Sequence, residues 1–233
     1  MFGTLFGIGV GPGAPDLLTI RAVRVLKTVD VLLTPVRRGN DFSRAFEIAR
    51  PYIGQVQDVP LDFPMTRDKD ILDKAWTCAA KQSVAVLAKG LNAAFLTLGD
   101  PLTYSTFSYL MRAVRALDPT IAISVVPGIT SYQAASARLC EPLCEGNEHL
   151  HILSGIADKD SLLRELENDG PAVVLKAYRN YPAIRDALKA SGRDEDVVQV
   201  SHVEQEQESL RRGLDEHGTP PYMTLLLSKK RKG

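Results

Sequence analysis

The sequence predicts an α/β protein of two domains, residues 1–126 and 127–233, and three observations carry that reading. Short apolar runs alternate with segments of helical period throughout the first half, the pattern of a mostly parallel sheet. At Pro127 the texture changes to small residues and an irregular stretch before a second set of strands and helices begins, with no low-complexity tether at the junction. The composition is that of an ordinary globular chain, 45% hydrophobic and 24% charged over 233 residues, which excludes disorder, collagen-like repeats and coiled coil.

Taken in order, residues 4–10 read as a buried strand ended by the turn Gly11-Pro12-Gly13-Ala14-Pro15, and Ile20, Val23 and Leu26 space a helix over 19–28. Residues 30–34 give the next strand, and 42–49 a helix that Pro51 stops. Leu72, Ala75, Trp76 and Ala79 share one face of a helix over 68–87. The unbroken apolar run 93–98 is a strand buried on both faces. Phe107, Leu110, Met111 and Val114 then mark a helix over 105–117, and 121–126 completes the alternation. In the second half 131–139 is a short helix and 140–148 is irregular. Strands follow at 150–153, 172–176, 197–200 and 222–227, with helices at 160–167 and 181–191; the basic residues 229–232 read as a solvated tail.

Several function classes fall away on composition. Twenty-eight basic side chains balance 28 acidic ones, which argues against a nucleic-acid partner that depends on phosphate neutralisation. The apolar runs, such as 93–96 and 225–227, are far below the roughly 20 residues of a membrane span, so no membrane partner is expected. The first residues lack the basic region and cleavage site of a secretory signal, and three cysteines fit reduced thiols, so a cytosolic (cytoplasmic) setting without a structural disulfide is expected. Cys140, Cys144, His149 and His151 run as C-x3-C-x4-H-x-H, which matches no zinc spacing, and no metal is expected there. His202 and His217 stand alone, without the partners of a hydrolytic triad.

Three loops remain as candidates for chemistry. The first, Gly7-Ile8-Gly9-Val10-Gly11-Pro12-Gly13, invites a dinucleotide reading and therefore a nicotinamide oxidoreductase. That turn should open straight into a helix, yet Pro12 and Pro15 interrupt it, and Asp30 lies at the start of the second strand rather than its end. The second, Leu98-Gly99-Asp100-Pro101-Leu102-Thr103-Tyr104-Ser105-Thr106, follows the apolar strand. There Gly99 admits a ligand to the backbone, Pro101 fixes φ, and Ser105 or Thr106 can cap the next helix. Asp100 in such a turn more often holds backbone amides than abstracts protons. The third, Val126-Pro127-Gly128-Ile129-Thr130-Ser131, joins a strand to a helix whose Ala134, Ala135, Ser136 and Ala137 permit close packing. Three strand-end loops of one sheet converge along one edge, where a cleft is expected.

Together these loops resemble the tetrapyrrole methylases, which use S-adenosylmethionine to methylate porphyrin-like rings, and the resemblance covers nearly the whole chain. The stretches 9–19, 63–68 (Phe-Pro-Met-Thr-Arg-Asp), 96–106 and Pro142-Leu143 are similar to the branch that methylates C(20) of precorrin-2 or cobalt-factor II in cobalamin biosynthesis. The resemblance implies a mostly parallel N-terminal sheet, a mixed C-terminal sheet, an active site in the cleft between the domains, and a homodimer. It places Leu98, Gly99, Asp100, Thr103, Tyr104, Thr130, Ser131, Ala177 and Thr224 on S-adenosyl-L-methionine, which acts as co-substrate. It turns Gly11, Pro12 and Gly13 toward the tetrapyrrole. A ring rich in carboxylates calls for cations, with Arg37, Arg38, Arg67 and Lys176 as candidates. No residue is assigned as general base. The alternatives are a methylase for another ring position, diphthine synthase, the nicotinamide oxidoreductase already named, and a noncatalytic tetrapyrrole carrier.

Overall fold

A computed structural model describes residues 1–36, 43–64, 66 and 68–229, and the chain divides into two compact units, Met1–Thr130 and Ser131–Gly233. The first is built on five parallel strands: β1 (Leu5–Gly9), β2 (Val31–Val36), β3 (Gln57–Asp62), β4 (Ala93–Thr97) and β5 (Ile123–Val126), in the order β3-β2-β4-β1-β5. Residues of one strand alternate between two cores, as the two-residue period of a strand dictates. Leu5, Val31, Leu33, Ala93 and Phe95 pack with α3 (Lys69–Leu87) and α4 (Phe107–Leu117). Ile8, Leu32, Ala94 and Leu96 pack with α1 (Ile20–Leu26) and α2 (Arg44–Ala49). The helices that follow the neighbouring strands β1 and β4 therefore lie on opposite faces, the arrangement that opens a crevice beyond the carboxyl ends of those strands.

The helix starts are set by side chains the sequence supplies. Thr19 accepts the Ala22 amide at 3.1 Å, Asp68 accepts those of Asp70 and Ile71, and Ser105 accepts that of Phe107 at 3.0 Å. The Ser105 hydroxyl is engaged ahead of the helix, and α4 begins at Phe107, where its apolar period begins, two residues after the expected start at 105.

The second unit holds α5 (Ser131–Leu139), β6 (His151–Ser154), α6 (Lys159–Leu166), β7 (Ala172–Leu175), α7 (Tyr181–Ala190), β8 (Val197–Ser201), β9 (Ser209–Arg212) and β10 (Thr224–Ser228). Its sheet runs β6-β7-β10-β8-β9; β6 and β7 are parallel and the other pairs antiparallel, so it is mixed. The core forms around Leu162, Val174, Ile184, Leu188 and Leu226, with Tyr181 fully buried. Arg193, 1% exposed, donates from its guanidinium to the carbonyls of Gly170, Leu166 and Asn168, each at 2.9 Å. Burial pushes its pKa below the usual arginine value, and the three carbonyls together with nearby Asp169 offset part of that cost.

Two strands were not legible in the sequence. β3 contains Pro60 and a largely polar run, and it forms because its whole length pairs with β2 at the edge of the sheet, where a proline is tolerated. β9 is exposed along its length and exists through pairing with β8. Among the described residues, no helix is long and apolar enough to cross a membrane.

Candidate active site

The carboxyl ends of β1, β4 and β5 are drawn together by backbone contact. Gly11 and Gly99 exchange hydrogen bonds, Gly99 N to Gly11 O at 2.8 Å and Gly11 N to Gly99 O at 3.4 Å. A Cβ on Gly9 would lie 2.5 Å from the Gly99 carbonyl and 2.6 Å from Gly128 N, and one on Gly128 would lie 2.1 Å from that same carbonyl. Only glycine fits either position, and the three loops pack main chain against main chain. Gly7, by contrast, makes room for the Phe107 ring, 2.2 Å from where its Cβ would be.

Asp100 locks the arrangement. One carboxylate oxygen accepts the Leu102 amide at 2.9 Å and the Thr103 hydroxyl at 3.2 Å; the other accepts the Gly128 amide at 3.2 Å. The side chain thus shapes its own turn and ties the β4 loop to the β5 loop. Behind it the buried hydroxyls of Thr97 and Ser105 lie 3.3 Å apart. Leu98, Gly99, Asp100 and Thr103 stay half-exposed and Tyr104 is exposed in a left-handed conformation, φ 51°, so backbone and side chains of this lip are accessible. Thr130 is buried and Ser131 opens α5. Gly11 and Pro12 are buried, which leaves Gly13 as the half-exposed member of that trio.

The β1 loop also explains why the dinucleotide reading fails in three dimensions. It runs through a single 3-10 turn, Pro15–Leu17, before α1 begins at Ile20, so no helix N-terminus follows the glycines directly.

The second unit carries its own distinctive edge, where β7 and β8 end and β10 begins. Lys176, His202, Glu204 and Met223 all adopt left-handed backbone there, with φ of 57°, 49°, 59° and 69°. For residues with a Cβ this conformation is costly, and it concentrates at functional positions. Ala177 is fully buried beside this edge. Thr224 is also buried: its hydroxyl donates to Pro221 O at 2.7 Å and lies 2.7 Å from the Ser201 hydroxyl. The Thr224 side chain is therefore committed within the unit. Tyr178 and Tyr222 meet edge to face at 5.0 Å, and the Arg179 Nε donates to the Tyr178 hydroxyl at 2.9 Å. The left-handed cluster and the tyrosine pair went unrecognised in the sequence, since nothing in residue type marks a non-glycine left-handed backbone. The basic and aromatic run Lys-Ala-Tyr-Arg directly after an apolar strand was the available signal.

Arg37, Arg38 and Arg67 lie outside the described residues. Cys140 and Cys144 are exposed, and His151 places Nε2 3.0 Å from Asp169 O. Among the described residues, no group of three or more His, Cys, Asp or Glu side chains is arranged to hold a metal ion.

A family model of the tetrapyrrole (corrin/porphyrin) methylases matches residues 4–216. The chain belongs to that family. A cobalt-precorrin-2 C(20)-methyltransferase of Salmonella typhimurium is 31% identical over 99% of this chain and 98% of its own length. A precorrin-2 C(20)-methyltransferase of a Sinorhizobium species is 34% identical over 85% of this chain and 83% of its own. Among solved structures, this methylase superposes on the uroporphyrin-III C-methyl transferase of Thermus thermophilus complexed with S-adenyl homocysteine. The TM-score is 0.68 at 22% identity, covering 97% of this chain and 92% of that one, a likeness of fold. The resemblance read from the three loops thus holds for the family as a whole.

Proposed function

We propose that this methylase transfers a methyl group from S-adenosyl-L-methionine to C(20) of precorrin-2 or its cobalt form, cobalt-factor II, in cobalamin biosynthesis. The observation that carries the reading is the end-to-end similarity to a cobalt-precorrin-2 C(20)-methyltransferase, in a chain whose β1, β4 and β5 loops fuse into one ligand-facing edge.

The residues of that edge fit an adenosyl group: the half-exposed main chain of residues 98–100 stands at the carboxyl end of β4, held in place by the main-chain packing of Gly9, Gly99 and Gly128. The bound sulfonium supplies an electrophilic methyl group. Leu98 and Gly99 offer backbone contacts, Asp100 holds the turn rather than the ligand, and Thr103, Tyr104, Thr130 and Ser131 border the same loops. Ala177 and Thr224 are carried as donor contacts through their main chain. Gly13, with Gly11 and Pro12 behind it, and the cations Arg37 and Arg67 are assigned to the ring. The ring carbon attacks the methyl carbon, the carbon–sulfur bond breaks with its electron pair staying on sulfur, and the methylated ring then releases one proton to water. Because charge is dispersed rather than created in that step, orientation and exclusion of water supply the catalysis and no metal is called for. The reading extends to a homodimer in the cytosol.

The test is anaerobic incubation of the purified protein with S-adenosylmethionine and, in parallel, precorrin-2 and cobalt-factor II, followed by mass and carbon NMR. One added methyl at C(20) is expected, and the faster substrate identifies the metal-free or cobalt route. A methyl at another carbon, or on neither ring while S-adenosylhomocysteine still binds, overturns the choice of substrate position.

A further inference from the structure

We propose that Lys176, Tyr178, Arg179 and Tyr222 form a carboxylate-docking pad that grips the peripheral acid groups of the tetrapyrrole and so sets substrate specificity. The inference rests on the methyl-transfer reading above and deepens it. Three observations converge on it.

First, the pad stands where β7 and β8 end beside the start of β10, the edge at which Lys176, Met223, His202 and Glu204 bear left-handed backbone while keeping their side chains. Glycine would relieve that cost, so its absence marks side chains in use. Second, one tight turn after β7 carries two cations, with the Arg179 amide donating to Lys176 O at 3.2 Å. Lys176 is exposed, but its ammonium is partly shielded, and that desolvation, followed by repulsion from Arg179, lowers its pKa. An anion lying across both groups removes the repulsion, and carboxylates are what a guanidinium and an ammonium bind best. Arg179 is already ordered for this by tyrosine: its Nε donates to the Tyr178 hydroxyl at 2.9 Å, and its guanidinium carbon lies 5.8 Å from that ring. Two acids of the same edge, Glu204 and Glu208, engage Arg138 instead, at 3.8 and 2.7 Å. Third, the edge has polar capacity and flat surface to spare. The buried Nδ1 of His202 has no partner within the described residues, and Tyr222, 59% exposed, leans on Tyr178 to give an aromatic face suited to a macrocycle.

The experiment titrates uroporphyrin III, a polycarboxylate ring, against the full-length protein by fluorescence, and S-adenosylhomocysteine by calorimetry, in wild type and in the double variant Lys176→Gln, Arg179→Gln. The double variant is expected to weaken uroporphyrin binding at least about tenfold, the loss of two charge-assisted contacts, and to flatten its salt dependence. S-adenosylhomocysteine affinity should stay within about twofold, and Arg164→Gln, an exposed cation on α6, should change neither. Uroporphyrin affinity unchanged in the double variant, a parallel loss of both ligands, or no uroporphyrin binding by wild type would each overturn the pad. The two readings fail separately. C(20) methylation with an unchanged KM in the double variant removes the pad and leaves the reaction. Salt-sensitive uroporphyrin binding that the double variant loses, without methylation at C(20), removes the reaction and leaves the pad.

Discussion

The two units turn their chains at their strand ends by opposite means. In the first, the loops after β1, β4 and β5 place glycine at most of the left-handed or crowded positions, as at Gly11 and Gly99 with φ of 80° and 71° and at the Gly9–Gly128 contact, with Tyr104 (φ 51°) the exception. In the second, the corresponding bends at Lys176, His202 and Met223 carry full side chains in the same left-handed region. Glycine at a bend signals that main chain is the working surface, for close packing or close approach of a ligand. A non-glycine residue at the same conformation signals that the side chain is needed enough to offset about 1–2 kcal/mol of steric cost. The first unit presents backbone, and the second presents cations and aromatic rings.

The sharpest way to break this contrast is Gly128→Ala. The new methyl would sit 2.1 Å from the Gly99 carbonyl and 2.8 Å from Gly9, with backbone on every side and nothing flexible to yield. We expect about 3 kcal/mol of destabilisation in urea unfolding, and loss of S-adenosylhomocysteine binding in calorimetry even at temperatures where the variant stays folded. An alanine variant with native stability would show that the three loops are not fused.

Asp100→Ala comes next. It removes two bonds within the turn and the tie to the Gly128 amide, which predicts a loss of about 2 kcal/mol and a weaker S-adenosylhomocysteine complex. Asp100→Asn keeps a side-chain acceptor for the turn and should recover part of both. If the alanine variant lost affinity at full stability, Asp100 would be a ligand contact rather than a strut.

The smallest effect is the most discriminating. Lys176→Gly relieves the left-handed strain at an exposed position but adds freedom to the unfolded chain, so the net gain should be below about 1 kcal/mol, read as a small rise in Tm. The same change should raise KM for the tetrapyrrole. Increased stability with a poorer substrate complex would confirm that strain is retained there for the side chain, and an unchanged KM would reduce Lys176 to a solvated charge.

Much of the first unit was legible because its signals are local. The run 93–97, apolar but for Thr97, reads as a strand buried on both faces, and Thr19, Ser43 and Asp68 are the caps at which three helices start. β3 and β9 escaped notice because pairing partners far away in sequence, not their own residues, make them strands. The role of Asp100 was half legible: a turn-holding aspartate follows from residue type, whereas its bond to an amide 28 residues on does not.

The sequence by itself determined the alternation of strands and helices, the family, and the places where glycine and proline end strands, because period, capping and turn chemistry act over a few residues. The tertiary structure decided which loops touch, that Gly9 and Gly128, packed on the Gly99 carbonyl, leave no room for a Cβ, and that Lys176, His202 and Met223 share a strained edge. Those facts depend on strand order and register, which long-range packing fixes and no local pattern encodes.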